Sequence, residues 1–203
     1  MHLTTYFDYK SPYAFLAVDG IYELERATGC TLEMLPYTLD IPAYLGSART
    51  ADDGRVLESE RNGHQWRRVR YSYMDCRREA NRRGLTIRGT RKIFDSTIAS
   101  IGFLFMPDDE TQRRYHSNVF EKFWRRELDI ENAEVVAQEI TAAGADGTQF
   151  EGYLNTEGRK RLSDLHSEAE AAGVFGVPSY LVGEALFWGA ERAERVYELL
   201  KGR

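Results

Sequence analysis

The stretch LTTYFDYKSPYAFLA, residues 3–17, decides the fold. Leu3 to Phe7 form a short run rich in β-formers and predict a buried first strand. Asp8 to Ser11 reads as a turn. Ser11-Pro12 then opens a helix, because serine is a favoured N-cap and proline suits the first helical position. Ala14, Ala17, Val18, Ile21 and Leu24 recur at helical spacing on one face, and Gly29 closes the helix. Residues 31–37 (TLEMLPY) read as a second strand. Strand, helix and strand within 37 residues predict a parallel pair joined by a right-handed crossover.

Outward from that unit the pattern changes. Residues 40 to 172 are mainly helical, with helices expected near 55–83, 93–106, 111–127, 131–143 and 156–172. Strands return at Ser179–Val182 and Ala185–Trp188, separated by Gly183-Glu184, a plausible hairpin turn. A last helix, near 190–201, puts Ala193, Val196, Tyr197 and Leu200 on one face. The expected architecture is α/β: residues 1-39 and 173-203 make a β-α-β … β-β-α domain, and residues 40-172 a large all-helical insertion domain.

The composition sets outer limits. Of 203 residues 42% are apolar, so a core can form, and 29% are charged. No stretch approaches the roughly 18 apolar residues of a membrane span. The N-terminus has no basic start followed by an apolar run, so the cytoplasm is the expected location. Cys30 and Cys76 cannot build a disulfide framework, and His2, His64, His116 and His166 show no metal-ligand spacing with them, so no metal is expected. Neither a phosphate-cradling Gly-x-x-x-x-Gly-Lys nor a dinucleotide Gly-x-Gly-x-x-Gly occurs.

Three features invite chemistry. Ser11 is a helix N-cap, and the same helix end presents free N–H groups and a positive dipole to an anion. Residues 61–92 hold ten arginines and Lys92 against only Asp75 and Glu79. That stretch fits a solvated helix face, an anionic partner, or one or two arginines reaching a substrate carboxylate; the net charge of −5 argues against nucleic acid. Glu191 complements the dipole at the start of the last helix.

The blocks Tyr6-Phe-Asp-Tyr-Lys-Ser-Pro-Tyr-Ala-Phe-Leu-Ala17, Gly173-Val-Phe-Gly-Val-Pro-Ser-Tyr-Leu-Val182 and Phe187-Trp-Gly-Ala-Glu-Arg192, in that order, carry a resemblance. The chain resembles the 2-hydroxychromene-2-carboxylate isomerases and kappa-class glutathione transferases, relatives of the disulfide oxidoreductase DsbA. The resemblance implies a thioredoxin-like fold with a helical insertion, and glutathione as cofactor. Ser11 and Ala14 occupy the places of the two cysteines of a C-x-x-C motif, which excludes dithiol redox chemistry there. Ser11 is thus the implied catalytic residue, hydrogen-bonding the external thiol. Pro178 takes the place of a cis proline, and Val177 the backbone contact to the cysteinyl part of glutathione; a plain strand-entry proline is the alternative. Ala190 and Glu191 stand where relatives place a small polar residue and an aspartate for the γ-glutamyl group. Tyr9, Lys10, Tyr13, Arg91 and Trp188 are the expected substrate-pocket residues, with Tyr13 and Trp188 equally readable as packing. Arg91 and Asp95-Ser96 lie where relatives often show a proline and Asn-Ser.

The implied function is a glutathione-dependent isomerase. It would interconvert a hydroxychromene carboxylate and a hydroxybenzylidenepyruvate-like acid by thiolate addition, bond rotation and elimination. The implied partner is a small aromatic carboxylate, and the implied assembly a homodimer. A kappa-class-like glutathione transferase and a redox-inactive thioredoxin-like binding module are the alternatives.

Overall fold

The computed structural model describes residues 1–202. Its central element is a four-stranded sheet in the order β2-β1-β5-β6, built from β1 (His2–Phe7), β2 (Thr31–Pro36), β5 (Ser179–Val182) and β6 (Ala185–Trp188). β1 runs parallel to β2, from His2 beside Thr31 to Phe7 beside Pro36. On its other side β1 runs antiparallel to β5, with Thr5 opposite Tyr180 and Tyr6 opposite Ser179. The strand residues expected from the sequence are therefore in the sheet, and both chain ends contribute to it.

Helix α1 (Pro12–Thr28) forms as its caps dictate. Ser11 is in extended conformation and its Oγ accepts from Ala14 N at 3.2 Å. Gly29 ends the helix in the left-handed region, φ 68°, where its N–H donates to Glu25 O at 2.8 Å. The buried stripe of Ala14, Ala17, Val18, Ile21 and Leu24 packs α1 into the core, beside α3 (Gly63–Arg82), α5 (Asp109–Trp124) and α9 (Ala193–Leu200).

The insertion is not wholly helical. Between the short α2 (Ile41–Leu45) and α3 lies a hairpin of β3 (Ala48–Thr50) and β4 (Val56–Ser59). It occupies the first part of the helix expected over 55–83. Asp53-Gly54 explains the difference: Gly54 takes φ 85°, and Asp53 Oδ1 accepts from Arg55 N at 2.9 Å, which makes a tight turn. The helix begins only at Gly63, where Asn62 and Gln65 cap each other reciprocally.

The remaining helices are α4 (Thr97–Phe105), α6 (Ala133–Ala142), α7 (Phe150–Tyr153) and α8 (Arg159–Ala171). A π-helical turn, Leu154–Gly158, joins α7 to α8. Gly158 packs there directly against the side chains of Ile101 and Tyr153, leaving no room for a Cβ. Among the described residues no helix is long and apolar enough to cross a membrane.

Candidate functional site

The site grows from the last residue before the α1 turn. Asp8 is fully buried, yet its carboxylate accepts four hydrogen bonds. Oδ1 accepts from Lys10 N at 3.1 Å and Ser96 Oγ at 2.6 Å. Oδ2 accepts from Leu39 N at 2.7 Å and pairs with Lys10 Nζ at 2.7 Å. Lys10 Nζ in turn donates to Ser96 Oγ at 3.0 Å. A buried ion pair is tolerated only when its remaining donors and acceptors are satisfied, and here three chain segments satisfy them. The price falls on α4: Ser96 is its N-cap but makes no side-chain cap bond, because its hydroxyl is committed to Asp8 and Lys10. The turn between β1 and α1 is closed by Ser11 N donating to Asp8 O at 3.0 Å.

Ser11 therefore sits at a fixed helix start. Its Oγ accepts from Ala14 N, which leaves the O–H available to donate outward. The register of β5 brings the preceding loop to the same end of the sheet: with Ser179 opposite Tyr6, Pro178 and Val177 lie beyond the ladder beside the end of β1. The Val177–Pro178 peptide is cis. Pro178 O accepts from Gly189 N at 2.9 Å, and Gly176 O accepts from Ser179 Oγ at 2.7 Å. Between these two anchored carbonyls, Val177 is buried, and among the described residues no hydrogen bond reaches its N–H or C=O. Buried backbone groups are paired in the great majority of cases, so the unpaired backbone of a buried residue sets this position apart.

The surroundings are mixed. Trp188 is half exposed, its ring 5.1 Å from that of Phe175 and directly over Gly176, where a Cβ would collide with the indole. It is thus a surface aromatic at the loop, not a core residue. Ala190 begins a 3-10 turn, Ala190–Arg192, ahead of α9. The Glu191 carboxylate folds back against Gly189, and its charge adds to burial in raising the Tyr180 hydroxyl pKa. Tyr13 donates to Asp75 Oδ2 at 3.3 Å, and burial raises its pKa. Neighbouring Cys76 is a free buried thiol, pushed up to about 12 by burial, and so is protonated and inert at neutral pH.

Three expected pocket residues are placed otherwise. Tyr9 is fully buried among Phe7, Tyr115 and Phe120, with its hydroxyl 3.4 Å from His116 Nδ1. The turn after β1 sends Tyr9 inward, so it is core and does not line a pocket. Lys10 is buried and committed to Asp8 and Ser96, which makes it a strut of the turn and not a free cation. Arg91 is on the surface, paired with Asp52 of the β3–β4 turn. In the sequence Asp8 reads only as a turn residue, and Ser96 only as a position where relatives often show Asn-Ser. Their partnership spans 88 positions and leaves no local signal.

A thioredoxin-type sheet with a buried serine starting its first helix and a cis-proline loop at the same sheet end defines a class: a thioredoxin-fold protein without its redox thiols. The sequence matches the model of the DsbA-like thioredoxin domain over residues 2–201, and the chain belongs to that family. It is similar to a 2-hydroxychromene-2-carboxylate isomerase of Pseudomonas putida, 26% identical over 190 residues, covering 92% of this chain and 88% of that one. A solved 2-hydroxychromene-2-carboxylate isomerase superposes with a TM-score of 0.76 at 22% identity, covering 100% of this chain and 95% of that one. The cytosolic disulfide reductase DsbM of Pseudomonas aeruginosa, solved with GSH, superposes with a TM-score of 0.63 at 13% identity, covering 100% and 98%.

Proposed function

We propose that the protein is a glutathione-dependent isomerase acting on an aromatic-derived carboxylic acid of the hydroxychromene carboxylate type. The observation that carries this reading is that one end of the sheet holds both Ser11, with a hydroxyl free to donate at a helix N-terminus, and the buried residue Val177, whose backbone has no partner among the described residues. The similarity to proteins named 2-hydroxychromene-2-carboxylate isomerase supports the reaction, and the fold shared with a reductase solved with GSH supports the cofactor. Glutathione, when bound, supplies a thiolate that adds reversibly to a conjugated double bond, so that the bond can rotate before elimination restores both. Ser11 O–H donates to the sulfur and, with the α1 N-terminus, favours its ionised form. Val177 N–H and C=O pair with the cysteinyl backbone. Ala190 and Glu191 lie at the last helix start, where the γ-glutamyl ammonium would meet the Glu191 carboxylate. Asp8, Lys10 and Ser96 hold the turn that presents Ser11, so the helix end is preorganised before the thiol arrives.

The test is product analysis with a hydroxychromene carboxylate, with and without glutathione, alongside a chloroaromatic electrophile. Isomerisation that requires glutathione supports the reading. A stable glutathione adduct of the electrophile without isomerisation would make the protein a transferase, and no glutathione affinity would make it a binding module. Ser11→Ala should lower the rate at neutral pH by about tenfold or more, since a hydrogen bond to a charged group contributes about 1.5–3 kcal/mol. The rate should partly recover at higher pH, where the thiol ionises unaided.

A further inference from the structure

A cleft of about 610 Å³ runs along the outer edge of β2, and none of its lining residues belongs to the β1–α1 turn or the Val177 loop. β2 is the end strand of its sheet. Thr31 N donates to Met1 O at 2.9 Å and Tyr37 N to Phe7 O at 2.7 Å. Backbone groups alternate sides along a strand with a period of two. Residues 31, 33, 35 and 37 therefore spend their N–H and C=O on β1. Leu32 and Met34 turn theirs the other way, and Pro36 offers a carbonyl alone. Leu32, Glu33, Met34 and Leu35, four consecutive strand residues, line the cleft, so the free edge opens into it.

The far side is closed by Leu104 of α4, Gln112 of α5, Tyr153 and the first turns of α8. A second sheet cannot approach through those helices, and the cleft between them and the strand is the space open to an extended chain. The charge of the cleft selects among such chains. Asp164 is neutralised by Lys160 at 2.6 Å. Among the described residues Asp109 and Glu157 have no ion-pair partner, and Glu33 pairs with no cation but the exposed ring of His2 at 3.3 Å, while also accepting from Thr4 Oγ1 at 3.3 Å. Arg161 is the single unpaired cation facing these three carboxylates.

We propose that the β2 edge is a docking groove for an extended peptide segment of a partner protein that carries Lys or Arg side chains. The segment adds a strand to β2 through the N–H and C=O groups of Leu32 and Met34. Its basic side chains lie among Glu33, Asp109 and Glu157, and its apolar ones against Leu104 and Tyr153. This groove is independent of the Ser11 site and of the reaction proposed there.

The probe is an acetylated and amidated pentapeptide, Val-Lys-Val-Arg-Val, titrated by calorimetry and followed by amide hydrogen exchange. It should bind at sub-millimolar concentration. Exchange at the Leu32 and Met34 amides should slow on binding, while Glu33 and Leu35, already bonded to β1, should not change. N-methylation of the two central peptide amides should weaken binding at least about tenfold, and Val-Glu-Val-Glu-Val should not bind. Met34→Pro removes one outward donor without touching the β1 ladder, as edge strands tolerate, and should weaken binding similarly. Asp109→Lys should do the same and flatten the salt dependence. The N-methylated peptide needs no variant, so a Met34→Pro chain that fails to fold leaves the test intact. Equal binding of the N-methylated peptide, binding of spermidine as tight as the pentapeptide, or no binding at millimolar peptide would each overturn the proposal.

Discussion

Asp8 and His116 are both fully buried beside the same strand end, and the protein treats them in opposite ways. Asp8 is fully partnered: Lys10, Ser96 and the Leu39 N–H converge on its carboxylate. His116 meets rings instead: Phe7 at 4.3 Å, Phe120 at 4.8 Å and Phe103 at 5.3 Å. Among the described residues its Nδ1 reaches only the Tyr9 hydroxyl, and its Nε2 has no partner. Burial accordingly pushes the imidazole down to about 3, so it is neutral at physiological pH. The contrast shows two ways a fold accommodates a buried ionisable group, by partners or by neutrality. Proximity to the sheet is common to both; donors and a counter-ion from several segments are present only at Asp8.

The comparison is broken most severely at Asp8. Asp8→Ala leaves the Lys10 ammonium buried without its counter-ion, and breaking a buried pair in this way costs about 3–5 kcal/mol. Urea unfolding measures it. The double variant Asp8→Asn with Lys10→Met should recover part of the loss, since no charge is then left unpaired. A loss below about 1 kcal/mol for Asp8→Ala would mean that water reaches Lys10 and that the turn is not held by this network.

His116 makes the next largest effect, and it depends on pH. The folded-state pKa lies near 3 and the ordinary value is 6.5, so below 6.5 the unfolded chain binds a proton that the folded one refuses. Stability is then full above about pH 6.5 and is lost as pH falls towards 3, with a slope approaching about 1.4 kcal/mol per pH unit from this group. Replacing the ring by an apolar side chain, His116→Leu, should remove that slope while costing some packing. An unchanged pH dependence in His116→Leu would place the acid sensitivity elsewhere.

These two centres also show which part of the molecule its sequence reveals. The strand, cap and stop at Leu3–Phe7, Ser11-Pro12 and Gly29 are local signals, and the structure places all three as expected. The Ser179–Trp188 hairpin is equally local. The β3–β4 hairpin is not legible although Asp53-Gly54 announces its turn, because the flanking residues are charged and β4 is exposed on both faces, so no alternation marks it. At the site, Ser11 and Pro178 stand in recognisable motifs. Asp8 needs partners at 39 and 96, and Tyr9 needs the rings of α5, before either can be placed. No pattern along the chain encodes contacts made across such separations.

Two N-cap serines sharpen the comparison further. Ser11 caps its own helix, whereas Ser96 gives its hydroxyl to Asp8 and Lys10. Ser96→Ala should therefore cost about 1–3 kcal/mol, the range for leaving buried polar partners unsatisfied. Ser11→Ala should cost about 1 kcal/mol, as for loss of a cap. Thermal unfolding of the two variants side by side decides the order, and a larger loss at Ser11 would show that Ser96 is dispensable to the network.

The smallest effect is expected at Arg91. Chemically its pair with Asp52 is the same kind of interaction as Lys10 with Asp8, a basic side chain against a carboxylate. The setting differs, because both Arg91 and Asp52 are exposed to water. Solvent screens the attraction, and holding two long side chains in one geometry offsets much of what remains, so exposed pairs contribute about 0–1 kcal/mol. Arg91→Ala should therefore leave the unfolding midpoint almost unchanged. It should also leave the KM for a carboxylate substrate within about twofold, since the side chain is paired with the β3–β4 turn and not turned towards Ser11. A tenfold rise in KM with unaltered stability would mean that Arg91 exchanges Asp52 for the substrate carboxylate, restoring it to the pocket the sequence assigned it to. Ionic strength separates the two cases: a surface pair should weaken with added salt and leave KM unaffected, whereas a substrate contact would carry that salt dependence into KM.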